Sequence, residues 1–469
     1  MVGTRGALAD LENQLPAGRV ATDPDVVDGL SRDQAVWASV GKALAVVRAE
    51  SAEEVRATVE VCARHGAAVV PRGAGTGLSG GANAVDGCVV ISLEKMNRII
   101  EINPLERLAV VQPGVINDDL RAAAAQQGLW YPPDPASSPW STLGGNIATN
   151  AGGICCVKYG VTRDYVLELE MVTSRGDLVR LGRRTAKGVA GFDVAGLIVG
   201  SEGTLGIVTE ITVRLRPLPP PAITVAGHFP SLTSAGEAIR AVAYAGLTPS
   251  AFELIDQHCL RAVDAWKNMG LSTEAEVVLL ARIDEPGATG ESVADVMVQC
   301  FRQAGASWSD RSTDQAEADA LFEARRLAYP ALERLGPVLT EDVCVPKAQV
   351  PEMLARIERI SGRHQITIAN IAHAGDGNLH PLLLSDPGDE AGRVRAQAAF
   401  AEILVDAIDL GGTVTGEHGV GLLKRHGLEQ ELAPAVLEMH RAIKRALDPN
   451  NILNPGKVFT TEPERENQA

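Results

Sequence analysis

Two histidines and one carboxylate stand out by type and spacing. His373-Ala374-Gly375-Asp376-Gly377-Asn378-Leu379-His380 sets two imidazoles astride a turn, and Gly416-Glu417-His418-Gly419 adds a carboxylate and a third imidazole. Residues 366–371 are rich in β-branched side chains and 379–384 are mostly apolar, so the turn joins the strands of a hairpin. With Asp376-Gly377 as a two-residue turn, His373 and His380 are directly opposed on one face, their Cβ atoms roughly 4.5–5.5 Å apart. Two imidazoles so placed can share an ion. His373, His380 and Glu417 would leave coordination positions open, as in a catalytic rather than a structural zinc site. The residues alone leave another reading open, in which the histidines are a hydrogen-bonded core pair and Glu417 caps a helix.

The elements that must position these groups belong to a long chain. At 469 residues it exceeds what one core usually supports, so two or three domains are expected. Hydrophobic residues at 45% and charged ones at 22% are those of an ordinary globular protein. A net charge of -16 argues against nucleic acid and anionic membrane as partners, since both demand clustered Lys and Arg. Seven Cys without a Cys-x-x-Cys pattern suit a reducing compartment. No apolar run approaches the ~18 residues of a membrane span and residues 1–20 carry Asp10 and Glu12, so a cytoplasmic protein is expected, with peripheral membrane attachment left open.

Leu8, Leu11 and Leu15 recur at helical spacing in a leader over residues 1–45. From Val46 the texture is mixed: Ser51-Ala52-Glu53-Glu54 is a capping box before a helix over 55–65, and strands are expected at 67–70, 89–93, 108–112, 166–173 and 207–215. Pro217-Leu218-Pro219-Pro220-Pro221 is a stiff linker. Beyond it, strands at 223–229 and 275–283 alternate with helices at 234–246 and 291–304, and an amphipathic helix over 432–447 ends at Asp448-Pro449.

Residues 71–81 contain Gly75-Thr76-Gly77-Leu78-Ser79-Gly80, a Gly-x-Gly-x-x-Gly match. A nicotinamide-binding unit needs that motif to open a helix, with an acidic residue about 20 positions on. A loop follows instead, so the tract reads as a nest of amides around a diphosphate. A second glycine-rich tract at 142–153 implies a large ligand threaded between two loops.

These tracts, with Gly200-Ser201-Glu202-Gly203-Thr204-Leu205-Gly206-Ile207, the two histidine motifs and Asn454-Pro455-Gly456-Lys457, occur in an order that resembles the FAD-linked 2-hydroxyacid dehydrogenases of the vanillyl-alcohol oxidase superfamily. That group includes D-lactate dehydrogenase, the glycolate oxidase flavoprotein subunit and D-2-hydroxyglutarate dehydrogenase; the likeness covers roughly residues 40–460. It implies an α+β fold: the leader at 1–45, a two-subdomain FAD-binding domain at 46–218, an α+β substrate cap domain at 222–410, and a C-terminal helical segment at 411–469 that completes the metal and flavin site. By resemblance, Pro71, Gly73, Gly75, Thr76, Gly77, Gly80 and Gly81 cradle the pyrophosphate. Pro133, Asp134, Thr142, Gly145, Asn146, Thr149 and Gly152 line the flavin, Glu202, Gly203 and Ile207 lie near the adenine, and Asn454 closes from the C-terminus. FAD is expected to be non-covalent, because no histidine lies within 71–81.

The resemblance also implies the chemistry. A divalent ion, expected to be zinc, on His373, His380 and Glu417 would lower the pKa of a substrate hydroxyl. His418, opposite Glu417 on an extended backbone, would be the general base. Arg325 would clamp the substrate carboxylate bidentately, with Arg326 the alternative and a solvated helix face the plain reading of both. The run 340–346 looks more like the D-lactate branch, because Thr340 stands where dicarboxylate enzymes place a lysine. A small D-2-hydroxy acid is therefore expected, with glycolate and D-2-hydroxyglutarate as alternatives. The electron acceptor or partner subunit is not legible, and a homodimer is compatible with the chain. Two other classes are the alternatives: a non-redox transferase of alkylglycerone-phosphate synthase type, whose run of adjacent histidines is absent here, and a zinc hydrolase, which would leave both glycine tracts unexplained.

Overall fold

The structure is a computed structural model that describes residues 2–271, 275–312, 314–386 and 388–460, so the chain end at 461–469 lies outside the described residues. It divides into two compact units. One comprises Met1–Ala151, Val161–Leu218 and Glu417–Ala469; the other comprises Gly152–Gly160 and Pro219–Gly416.

The first unit holds two sheets with separate cores. In a four-stranded sheet, Ala45–Arg48, Val89–Ser92 and Val69–Arg72 run parallel, with Val20–Ala21 antiparallel at the edge. Its parallel strands are near-continuous apolar runs, as burial on both faces requires. Helix Ala52–His65 forms where its cap predicts: Ser51 Oγ accepts from Glu54 N at 3.2 Å, while Gly66 ends the helix at φ 62°. The capping box is only half made, because the Glu54 carboxylate accepts from Glu50 N instead. A five-stranded antiparallel sheet follows, in the order Ile99–Asn103, Leu108–Val111, Ile207–Arg214, Val166–Val172, Leu178–Gly182.

The leader is not purely helical. Helices Val2–Gln14 and Pro24–Gly29 flank the edge strand Val20–Ala21. Ala7, Leu11 and Leu15 are buried in the core beneath the parallel sheet, and His65 Nε2 sits 2.8 Å from Asp10 Oδ2. At Gly6 a Cβ would lie 2.9 Å from the His65 ring, so glycine permits that approach.

The second unit is built on an eight-stranded sheet, antiparallel at every pairing. Its path runs Trp308–Ser312, Ile223–Phe229, Val277–Ile283, Ala251–Asp256, Ile368–His373, Asn378–Leu384, Val338–Thr340, with Val343–Cys344 also paired to Asn378–Leu384. Ala251, Ile255, Ala369, Ile371 and Leu382 pack on helices Gln257–Lys267 and Gln315–Glu333. Among the described residues no helix is long and apolar enough to cross a membrane.

Leu11 is fully buried, so Leu11→Ala should destabilise the first unit by ~2–5 kcal/mol. Denaturant unfolding checks this; a loss below ~0.5 kcal/mol would mean that the leader helix does not belong to that core.

Candidate functional site

The hairpin forms, but one pairing differs from expectation. His373 pairs with Asn378 and Ile371 with His380, so the loop is Ala374-Gly375-Asp376-Gly377 rather than Asp376-Gly377 alone. The longer loop is held at both ends: Asp376 N donates to His373 O at 3.1 Å and Val345 N to Gly377 O at 3.0 Å, with Gly377 at φ 79°. The histidines are consequently diagonal neighbours on one face, not directly opposed. Their rings still reach each other, edge to face with centroids 5.2 Å apart.

A carboxylate stands by each ring. Glu253, fully buried, pairs across the sheet with His373, and its Oε1 lies 2.8 Å from His373 Nδ1. The other oxygen is 2.8 Å from Arg325 Nε, an ion pair off the line of a hydrogen bond. His380 Nδ1 is 3.7 Å from Asp342 Oδ1, and Asp342 Oδ2 accepts from Thr415 Oγ1 at 2.6 Å. A carboxylate hydrogen-bonded behind Nδ1, as at His373, is the arrangement that orients a metal-binding imidazole and leaves Nε2 forward; at His380 the carboxylate stands at ion-pair distance. Sequence reasoning missed Glu253 and Asp342. The signal available for Glu253 was an acid set between apolar pairs inside a strand, Ala251-Phe252-Glu253-Leu254-Ile255.

Arg325 is 5% exposed, whereas the Arg326 side chain is 47% exposed and only 3.9 Å from Glu323. The plain reading of a solvated helix face therefore describes Arg326. Thr413 bridges to Cys344, and Gly416 N donates to Asp342 O at 3.1 Å, so the chain leaves the second unit beside Asp342. At Gly416 a Cβ would lie 2.4 Å from Asn378 Oδ1.

In the first unit Glu417 and His418 sit in a bend, not in extended backbone. Their side chains are therefore near one another, His418 Nε2 being 3.9 Å from Glu417 Oε1.

The two glycine-rich tracts of this unit meet. A Cβ at Gly73 would lie 2.2 Å from Thr142 Oγ1. No helix follows the first tract. In the second, Leu143–Thr149 is a short helix rather than a loop, because Thr142 Oγ1 accepts from Gly145 N, Leu143 and Ile147 bury on one side, and Asn150 ends it at φ 54°. A cavity of about 440 Å³ is lined by Ala74, Thr76, Thr142, Glu94, Asp119 and Trp140, among others. Asn117 Oδ1, Ser141 Oγ and Asn146 Nδ2 are buried in this unit without hydrogen-bond partners. Such orphaned polar atoms are rare unless a ligand supplies the partners, so the residues present fit a large polar cofactor such as FAD.

Other residues expected at the cofactor have structural contacts. Pro133 O accepts from Asn117 Nδ2, Thr149 Oγ1 donates to Gly145 O, and Asp134 and Gly152 are buried. Ile207 is in the apolar core, and a Cβ at Gly203 would meet Pro71 at 2.4 Å. Asn454 Nδ2 donates to Gly81 O and to Glu202 O. The Glu202 carboxylate accepts from Val420 N and Gly421 N, and burial pushes it up to about 7 against the pull of those amides and Lys457.

A carboxyl raised in the folded state takes up a proton on folding, so its stabilisation is present below its ordinary value of 4.5 and is lost as pH rises through about 7. Glu202→Gln should therefore flatten the pH dependence of Tm between those values; profiles that stay parallel to the wild type would show that Glu202 does not titrate there.

Comparison with known proteins agrees with this geometry. Residues 218–458 match the FAD linked oxidases, C-terminal domain, and residues 43–182 an FAD binding domain. The chain is 42% identical over 419 residues to the glycolate oxidase subunit GlcD of Bacillus subtilis, covering 89% of each. It is 34% identical to a D-lactate dehydrogenase of Anaerostipes hadrus, covering 94% of each, and 33% identical to a D-2-hydroxyglutarate dehydrogenase of Stutzerimonas stutzeri, covering 97% of this chain and 99% of that one. In fold it is similar to p-cresol methylhydroxylase, with a TM-score of 0.83 at 18% identity, covering 98% of each chain. With both glycine tracts, the buried histidine pair and these likenesses in place, the chain belongs to the FAD-linked oxidase family and is an FAD-linked oxidoreductase.

Proposed function

We propose that the chain oxidises a small monocarboxylic 2-hydroxy acid, D-lactate or one of similar size, to its 2-oxo acid by hydride transfer to FAD. The carrying observation is the carboxylate-backed pair His373 and His380 beside Arg325 on one sheet face. FAD would be held by the two glycine tracts and would accept the hydride. His373, His380 and Glu417 would be the ligands of a divalent ion, as the family likeness implies, and that ion would acidify the substrate hydroxyl. Glu417 as third ligand is supported by the preceding Gly416, whose amide is bonded to Asp342.

The chain's own groups then divide the work. Glu253 orients His373 through Nδ1, the tautomer being set by that hydrogen bond. Arg325 turns Nε to Glu253; among the described residues no hydrogen bond or other ion pair engages its terminal nitrogens, which suits them to a carboxylate fork. His418 accepts the hydroxyl proton at a ring nitrogen. At Thr340 the hydroxyl is buried, with the Tyr329 phenol nearby, and supplies no cation for a second carboxylate. A partner subunit as electron acceptor is supported by the subunit name of the Bacillus subtilis relative.

Anaerobic stopped-flow mixing should show D-lactate or glycolate reducing the flavin at least about tenfold faster than D-2-hydroxyglutarate, ~1.4 kcal/mol in barrier. Preference for the dicarboxylate or for L-lactate overturns the substrate assignment. Chelation should abolish substrate oxidation while leaving the FAD spectrum nearly intact, and a divalent ion should rescue the chelated wild type far better than Glu417→Gln. Full turnover by protein shown by elemental analysis to be metal-free would return the histidines to a core pair.

A further inference from the structure

We infer that Glu202 is a positioning residue for His418, its carboxylate clamping the loop that follows His418 onto the first glycine-rich tract. The catalytic role of His418 rests on the reading above; the clamp stands on contacts within the first unit alone.

Two anchors hold this loop. Glu202 Oε1 accepts from Val420 N at 2.7 Å and Oε2 from Gly421 N at 2.9 Å. Ser79, within the tract, donates its hydroxyl to His418 O at 3.1 Å, and its carbonyl accepts from Leu422 N and Leu423 N at 2.8 and 3.2 Å. The fit is close enough to require glycine: a Cβ at Gly421 would lie 2.3 Å from Ser79 O, and one at Gly419 3.0 Å from Glu202 Oε1. Both glycines also have positive φ, at 49° and 85°.

Glu202 is itself held in a conformation that a non-glycine residue adopts only under constraint, φ 52°. Its N–H donates to Ala148 O and its carbonyl accepts from Asn454 Nδ2, so the backbone is fixed on both sides and the carboxylate is aimed at the loop. Gly81, at the end of the tract, accepts a second bond from the same Asn454 amide. The segment that cradles the cofactor and the segment that carries His418 are thus bonded into one network. A carboxyl group that engages two main-chain amides through both of its oxygens has little freedom to slide.

The test uses FAD-loaded Glu202→Gln and Ser79→Ala. Glutamine keeps the size of the side chain but sets an NH2 against one of the two amides. Bound FAD per chain should be unchanged, while amide exchange over residues 418–423 should quicken about tenfold or more, with other segments of the tract still protected. With a reducing 2-hydroxy acid, the limiting rate of flavin reduction should fall about tenfold while the half-saturating concentration stays within about twofold. Unchanged exchange overturns the clamp, and quickened exchange with an undiminished reduction rate overturns the positioning role. Loss of FAD from both variants overturns it in favour of a cradle role. If Glu202→Gln does not fold, Ser79→Ala decides by the same readings. Should no 2-hydroxy acid reduce the wild type, the functional reading falls, while the exchange result still decides the clamp.

Discussion

A carboxylate with no exposure to solvent, that of Glu253, ties together the strands and the helix that carry the site in the second unit. Taking Glu253 out of water costs several kcal/mol unless charge and hydrogen bonds replace the lost hydration. Two partners do so from different elements: Arg325 descends from the helix Gln315–Glu333, and His373 faces Glu253 across the strand pair. Each partner would be costly to bury without the other two. Strand register, helix placement and imidazole orientation are therefore conditions of one another. A slip of one residue between the strands at 251–256 and 368–373 would turn Glu253 or His373 to the opposite sheet face and leave a buried charge unpaired.

The first unit meets a different constraint, the close approach of glycine main chain to neighbouring groups. Where Gly73 passes Thr142 and Gly421 passes Ser79 a Cβ would overlap its neighbour, and at Gly419 it would crowd Glu202. The polar atoms Asn117 Oδ1, Ser141 Oγ and Asn146 Nδ2, left without hydrogen-bond partners in the same unit, belong to the same arrangement. Asn117, Ser141 and Asn146 are held by buried elements that do not satisfy them, as expected of a surface shaped for a ligand rich in hydrogen-bonding groups.

Where expectation and structure part, a local competitor explains the difference. The Asp376-Gly377 pair has the composition of a two-residue hairpin turn, yet Val345 N binds Gly377 O and Gly375 N binds Phe252 O, and these tertiary bonds favour the wider loop. The second glycine tract contains a cap, Thr142, and two apolar residues one helical turn apart, which outweigh its glycines. Glu417 and His418 were expected on opposite sides of an extended chain; the bend at residues 416–418 sets their side chains close.

Spacing and composition alone specified the two glycine tracts, the histidine pair, the family and many of the element types. All of these are written over stretches of a dozen residues. The sequence also marked Arg325 and Arg326 as alternatives, but could not choose between them, because burial of a helix face depends on what packs upon it. Only the tertiary structure joined Glu253 to His373 and Arg325, placed Asp342 beside His380, and set Glu202 against the loop after His418. Those partners lie 38 to 219 positions apart in sequence. No local periodicity encodes such separations; they follow from the desolvation cost of charged groups, which is satisfied only when the whole chain has folded.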